Sequence, residues 1–261
     1  MRALEIAATG MLAQQTRVEV IANNISNVGT TGYNLRRAEF ADLLYQQAQR
    51  AGDVSSDTGT VVPAGIQLGL GTRTAAVSMQ SAQGALRQTD GELDLALEGR
   101  GWFEVELPSG EGAYTRDGSF KLSADGLIVT SEGYGLIPQI TVPADARSIS
   151  INADGQVFAQ FEGNQAPQEL GKITLATFIN EKGLEARGSN LFTATAASGD
   201  AQIGDAGTEG RGTMRQGYLE QSSVDIVTEI TQLIEAQRAY EMNSKVITAA
   251  DQMLAAANQV R

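Results

Sequence analysis

The stretch ALEIAATGMLAQQTRVEVIANNI, running from Ala3 to Ile25, spaces Leu4, Met11, Val18 and Ile25 seven residues apart and interleaves them with Ala7, Gln14 and Ile21. Alternating steps of three and four draw a narrow stripe along a helix, the width that pairs with one other helix. The same pattern returns at the far end of the chain. Ile226, Leu233, Tyr240, Ile247 and Leu254 repeat the spacing, with Ala236, Asn243 and Ala250 alongside. The two helices span roughly 35 Å and roughly 50 Å at the usual rise per residue. Gly10 lowers helix propensity but leaves a flat spot where another helix can approach. Gln14 and Asn243 are polar members of the seams, which fix register at some cost in stability. Pairing within one chain and pairing between copies both satisfy the pattern. Either way, matched seams at the two ends point to assembly rather than catalysis, and a lone subunit is expected to order its ends on polymerisation.

Composition narrows the chemistry further. The 261 residues include neither cysteine nor histidine. Disulfides, thiolate nucleophiles, cysteine-ligated zinc and the usual general base near neutral pH are therefore excluded. The net charge of −12 argues against nucleic acid and anionic membrane surfaces as partners. That charge is unevenly placed. Met1 to Leu35 holds two bases and two acids, and Asp225 to Arg261 three and five, which leaves 14 bases and 24 acids between them. The seam segments are nearly neutral and packable, and the middle is the solvated part. No run of apolar residues reaches the length of a membrane span. Glu5, Gln14, Gln15 and Arg17 interrupt any cleavable signal core, so export, if it occurs, is expected to need no such signal.

The fold class expected is α+β, with long N- and C-terminal helices forming a coiled-coil-like axial domain around a mainly antiparallel β middle, barrel- or sandwich-like. Residues 1–35 make the first helix and its turn, 36–75 a linker with a long extended excursion, 76–215 the β domain, and 216–261 the returning helix. Asn23-Asn24-Ile25-Ser26-Asn27, with Gly29 and Gly32, ends the first helix in a turn. Ala38 to Gln49 has helical composition but fits an extended segment equally well. Ala51 to Gly71 reads as a long polar loop or hairpin, and long loops without structure of their own are usually functional. In the middle, Asp90-Gly91, Asp117-Gly118, Asp125-Gly126 and Asp154-Gly155 are hairpin dipeptides between short apolar alternations. Trp102 to Leu107 and Ile173 to Phe178 are the clearest strands, and Ser198 to Gly212 reads as a loop.

Candidate chemical sites are sparse. Gly69-Leu70-Gly71 lacks the third glycine and the following helix of a dinucleotide loop. Asp90, Glu92 and Asp94 lack the remaining ligands of a calcium loop and read as a charged hairpin. A carboxylate-pair glycosidase would want an aromatic-lined cleft, and Trp102 is the only tryptophan. No catalytic residue, cofactor or metal is assigned.

Ile21-Ala22-Asn23-Asn24-Ile25-Ser26-Asn27-Val28-Gly29-Thr30-Thr31-Gly32-Tyr33 resembles the N-terminal signature of bacterial flagellar rod and hook proteins. Gln216-Gly217-Tyr218-Leu219-Glu220, Gln237 to Lys245 and Asp251-Gln252-Met253-Leu254 resemble their C-terminal signature. Asp42 to Gln46, Gln67 to Gly71 and Ala113 to Phe120 resemble the distal rod member of that family. Asn34 departs from it, standing where a lysine is usual, and Ser223 stands where asparagine is common. The resemblance implies a non-enzymatic structural subunit that polymerises helically into a rigid hollow drive shaft around an export channel. It further implies type III export without a cleaved signal, and a periplasm-spanning place in the basal body. The partners it implies are copies of the chain, other rod proteins and hook protein at the ends, and P- and L-ring proteins outside. By the same resemblance, Asn23, Asn24, Asn27, Thr30, Gly32, Tyr33, Arg238, Tyr240, Asn243 and Lys245 form the family signature. Leu4, Met11, Val18, Ile21, Ile25, Ile226, Leu233, Tyr240, Ile247 and Leu254 form the assembly seam, and Ala51, Ser55, Pro63 and Gly65 mark an excursion that contacts neighbouring subunits. A proximal rod or hook subunit, or outside the family an acidic secreted binding module, are the competing readings.

Overall fold

Helix-forming residues at the two ends and turn-rich, β-branched residues between them give an α+β chain. The computed structural model describes residues 2–52, 63–161 and 166–259. Two long helices, α1 (Arg2–Ser26) and α2 (Ile226–Gln259), stand at the ends, and strands occupy the interval. The chain divides into two units. One comprises residues 1–25, 36–78 and 226–261, and the other residues 26–35 and 79–225.

In the first unit α1 and α2 lie side by side and antiparallel. Gly10 meets Asn243, Arg17 reaches Glu235 and Asn24 bonds Glu229, so the numbers rise on one helix as they fall on the other. Small residues make the close approach possible: Ala7 and Ala13 on α1 and Ala236 and Ala250 on α2 are buried, with Ile21 filling the seam beside them. A Cβ built on Gly10 would lie 2.9 Å from Asn243 Nδ2, so the flat spot is filled by the facing helix. No described helix is long and apolar enough to cross a membrane.

The segment after α1 is extended, not helical: strand Arg36–Asp42 pairs with strand Thr72–Met79. The excursion begins as an antiparallel ribbon. Tyr45 stands opposite Gly69 and Gln49 opposite Ile66, with a bulge between Gln47 and Gln49. Leu44, Tyr45, Ile66 and Leu68 on this ribbon are exposed. The ribbon returns to α1 through Gly71, where a Cβ would collide with the Thr9 hydroxyl, and the Thr72 amide donates to that hydroxyl at 3.3 Å.

The second unit is built on strand Trp102–Glu106. One of its edges pairs with Gly112–Thr115, and Gly135–Ile137 and Thr174–Thr177 also pair with it, within a nine-stranded sheet. Period-two alternation sends Phe103 and Val105 into one cluster with Leu136, Val157, Ile173 and Leu175. Trp102 goes to a second cluster with Tyr114, Ala176, Phe178 and Phe192. Trp102–Phe192 and Tyr114–Phe178 make edge contacts at 5.0 and 4.8 Å, the arrangement favoured by the ring quadrupole. Glu104, on the Trp102 face, is buried too, and loss of hydration pushes its carboxyl above the ordinary range.

Two of the four Asp-Gly dipeptides close hairpins. Asp125-Gly126 joins Lys121–Leu122 to Ile128–Val129, and Asp154-Gly155 joins Ala146–Ile151 to Gln156–Phe161. The other two do not. Gly91 and Gly118 are held by close approach to Asp94 and to the Leu95 carbonyl, and the strands flanking them pair elsewhere. The span Ser198 to Gly212, expected as loop, contains strand Gln202–Asp205, paired with Thr174–Thr177. Its alternation is short and interrupted by glycine, which hid it.

Candidate assembly site

In the first unit, the candidate feature is the helix pair and its outer surface. Of the proposed seam residues, Ile21 is buried, and Leu4, Met11, Val18, Ile25, Leu233 and Ile247 are half-buried. Ile226, Tyr240 and Leu254 are exposed. The stripe that α2 turns to α1 is displaced by part of a turn, onto Glu229, Ala236, Asn243 and Ala250, also spaced by seven. Ala236 and Ala250 take the inner position because a close helix–helix approach favours short side chains, while Asn243 fits over Gly10 and Glu229 is held by Asn24. Among large hydrophobic side chains exposed in the described residues, all but Leu122, Ile179 and Ile203 belong to this unit. Leu12 on α1 and Val227, Ile230, Ile234, Met242 and Val246 on α2 are among them.

Asn24 closes the neck of the signature turn. Its Oδ1 accepts from the Arg36 amide at 3.0 Å, and its Nδ2 donates to the Arg36 carbonyl at 2.8 Å, much as a neighbouring strand would. The same Nδ2 donates to Glu229 Oε2 at 2.9 Å. Asn24 and Glu229 are only 1% and 4% exposed, so each depends on partners inside the protein. Arg17 Nη2 lies 3.6 Å from Glu235 Oε2 at the rim of a groove of about 650 Å³ that Arg37, Phe40 and Val227 also line. Glu235 is well exposed and Arg17 about a third exposed, and the contact is long, so that pair contributes little.

In the second unit, the body of the signature turn is held by main-chain bonds. The Thr30 amide donates to the Asn27 carbonyl at 3.1 Å, and the Gly32 amide to the Glu220 carbonyl at 2.8 Å. Asn190 Nδ2 donates to the Thr31 carbonyl at 2.7 Å. Ser223 reads both sides of Tyr33-Asn34-Leu35: its amide donates to the Tyr33 carbonyl at 3.0 Å and its Oγ accepts from the Leu35 amide at 2.9 Å. Gly32 has φ +66, and a Cβ there would stand 2.7 Å from the Arg116 carbonyl carbon, so only glycine fits.

Arg116 and Glu220 form a buried ion pair at 2.9 Å. Arg116 also donates to the Gly99 and Gly101 carbonyls, and Glu220 Oε1 accepts from the Gly84 amide. Gln216 spends its whole carboxamide on the main chain, donating to Glu92 and Ile149 and accepting from Ile151. In the sequence Gln216 and Glu220 stand in a stretch like the C-terminal signature, Arg116 in a stretch like the distal rod member and Ser223 as a departure, while Glu229 carries no signal. Only the buried partner of each identifies its role.

The remaining proposed residues are more dispersed. Asn23, Arg238, Tyr240 and Lys245 face outward, and Asn243 lies half-buried against Gly10. In the excursion Ala51 and Pro63 are exposed. Gly65 is pressed against the Gln49 carbonyl and the Ala51 amide, and Ser55 lies outside the described residues.

Comparison with known proteins adds the family. Residues 4–34 match the family described as Flagella basal body rod protein, residues 96–159 the Flagellar hook protein FlgE/F/G D1 domain, and residues 215–260 the Flagellar basal body rod FlgEFG protein C-terminal. The flagellar basal-body rod protein FlgG of Caulobacter vibrioides is 52% identical over 261 residues, all of both chains. The chain belongs to the FlgG family of flagellar basal-body rod proteins. It is a structural subunit of the flagellar distal rod and not an enzyme. FlgG of Agrobacterium fabrum is 52% identical over 97% of each chain, and FlgG of Bacillus subtilis 37% over 97% of each. The two terminal family matches cover the signature turn and both helices.

Proposed function

We propose that this subunit polymerises helically into a rigid, hollow shaft that transmits torque from motor to hook and encloses an export channel. The carrying observation is the exposed apolar surface of the first unit. Apolar residues gathered on two antiparallel helices, with Leu12, Ile234, Met242 and Val246 outward, mark a surface that associates. Contacts between unlike patches that do not close into a ring build a helical filament. The axial core comprises residues 1–35 and 216–261, the helices supercoiling as an antiparallel coiled coil within each subunit. Ile226, Tyr240 and Leu254 lie on the outer face, which neighbouring copies cover. One-chain pairing already gives the termini a partner, so assembly completes the outer face rather than the seam.

Residues 76–215 form an outer β domain, barrel- or sandwich-like, that carries the acidic charge to solvent. The segment 36–75 reaches neighbouring subunits through Ala51, Ser55, Pro63 and Gly65 and stiffens the shaft. Other rod proteins and hook protein meet the polymer at its ends, and P- and L-ring proteins surround it in the periplasm. Export runs through the flagellar type III system without a cleaved signal. Purified chain, concentrated and imaged by negative-stain electron microscopy, should form straight hollow filaments. A chain that stays monomeric at every concentration and salt, with α1 and α2 folded, would overturn the reading.

A further inference from the structure

The seam between α1 and α2 is poorly able to fix its own register. Its inner stripe on α2 repeats every seven residues, Glu229, Ala236, Asn243 and Ala250, and faces Ala7, Gly10, Ala13 and Ile21 on α1. A slip of one heptad, about 10.5 Å, would bring Gly10 opposite Ala236 and take Arg17 from Glu235 to Thr228. The flat spot at Gly10 would be filled by an alanine, and the ion pair lost is a solvent-exposed one that contributes little. Apolar contact alone therefore discriminates weakly between the two arrangements.

Polar contacts discriminate strongly. In the slipped arrangement Asn24 would face residue 222, before the start of α2, and its buried amide would lose Glu229. Arg36 fixes the Asn24 side chain through both main-chain groups, so Asn24 cannot swing to follow a displaced helix. We propose that Asn24 and Glu229 are the positioning residues that set the register of α2 on α1, with the Arg36 main chain as the fixed reference. A single polar pair in an otherwise repetitive helix seam is known to select register. The consequence is functional: register decides which outer residues of α2 stand level with Leu12, and so the shape of the face offered to a neighbour. This holds for a single chain and does not rest on the polymer reading.

The absence of native cysteine makes the register directly readable. A disulfide between Gly10→Cys and Asn243→Cys reports the observed register, and one between Gly10→Cys and Ala236→Cys the slipped one. The full chain is oxidised at high dilution and the intrachain products are quantified. With Asn24 and Glu229 intact, the 10–243 bond forms in large excess. Asn24→Leu or Glu229→Leu lowers the ratio of observed to slipped product at least about fivefold, the least expected for stranding a buried polar group. Glu229→Gln, which keeps an acceptor, restores it. Trp102 fluorescence confirms in each variant that the β unit is folded. A ratio that stays within about twofold of the parent in both leucine variants would overturn the assignment. So would equal loss of both disulfides, because that would make the pair a condition of helix pairing rather than of register.

Discussion

Replacing Leu12 tests whether the outer surface of the helix pair is where copies meet. Leu12 is 65% exposed in the single chain and borders a groove of about 480 Å³ with Leu43 and Thr72. Full burial of a leucine side chain is worth about 1.5–3 kcal/mol, so covering the remaining two-thirds stabilises a contact by about 1–2 kcal/mol. Leu12→Ala forfeits most of that, which raises the critical concentration for assembly about tenfold. Leu12→Asp forfeits it and also buries an unpaired charge. The added penalty of at least about 2 kcal/mol brings the rise to about a hundredfold or more. The free chain should hardly notice either change, since alanine is a better helix former than leucine and aspartate costs only about half a kcal/mol. Pelleting against total concentration gives the critical concentration, and circular dichroism reports helix content. If Leu12→Asp pellets within about threefold of the parent concentration at unchanged helicity, Leu12 does not lie in the contact.

Three further outcomes concern the unit that holds the signature turn. Arg116→Met leaves Glu220 charged and buried without its partner and should destabilise the β unit by about 3–5 kcal/mol, whereas Arg116→Met with Glu220→Met should recover part of the loss; urea denaturation followed by Trp102 fluorescence measures both. Gly32→Ala places a side chain in left-handed backbone and against the Arg116 main chain, and should cost at least about 2 kcal/mol by the same assay. Burial, followed by the charge of Glu104 and their hydrogen bond, pushes the Tyr114 hydroxyl up to about 12. The folded chain therefore keeps this proton where the unfolded chain, titrating near about 10, loses it. Stability should fall as pH rises from the unfolded value through the folded one, and Tyr114→Phe should flatten that fall in pH-dependent melting.

Much of this molecule was readable from residue spacing, and the limits have physical causes. A strict three-four repeat can only be a helix with a narrow seam, so α1 and α2 emerge within a residue or two of their ends. The same repeat does not say which of two adjacent stripes faces inward. Ile226 and Tyr240 lie outside and Ala236 inside because small residues admit close approach, and that needs the partner helix to be known. Asn24 was visible as a signature residue but not as a clasp. Its partners Arg36 and Glu229 are 12 and 205 residues away, and no local pattern encodes such a distance. Asp117-Gly118 looks like a hairpin turn because the dipeptide favours one. Its flanking strands pair elsewhere, since Gly118 is wanted for close approach to Leu95. Arg116 and Glu220 stand in family-like stretches, but their pairing across 104 residues has no local pattern.

The most direct measurement is a helical reconstruction, by electron cryomicroscopy, of filaments grown from the purified chain. The account predicts that α1 and α2 of each subunit run antiparallel side by side with Asn24 against Glu229. It also predicts that Leu12, Ile234 and Met242, exposed in the single chain, are covered by neighbouring copies. Filaments in which those side chains face solvent, or in which each α1 pairs with the α2 of another copy in a different register, would contradict it.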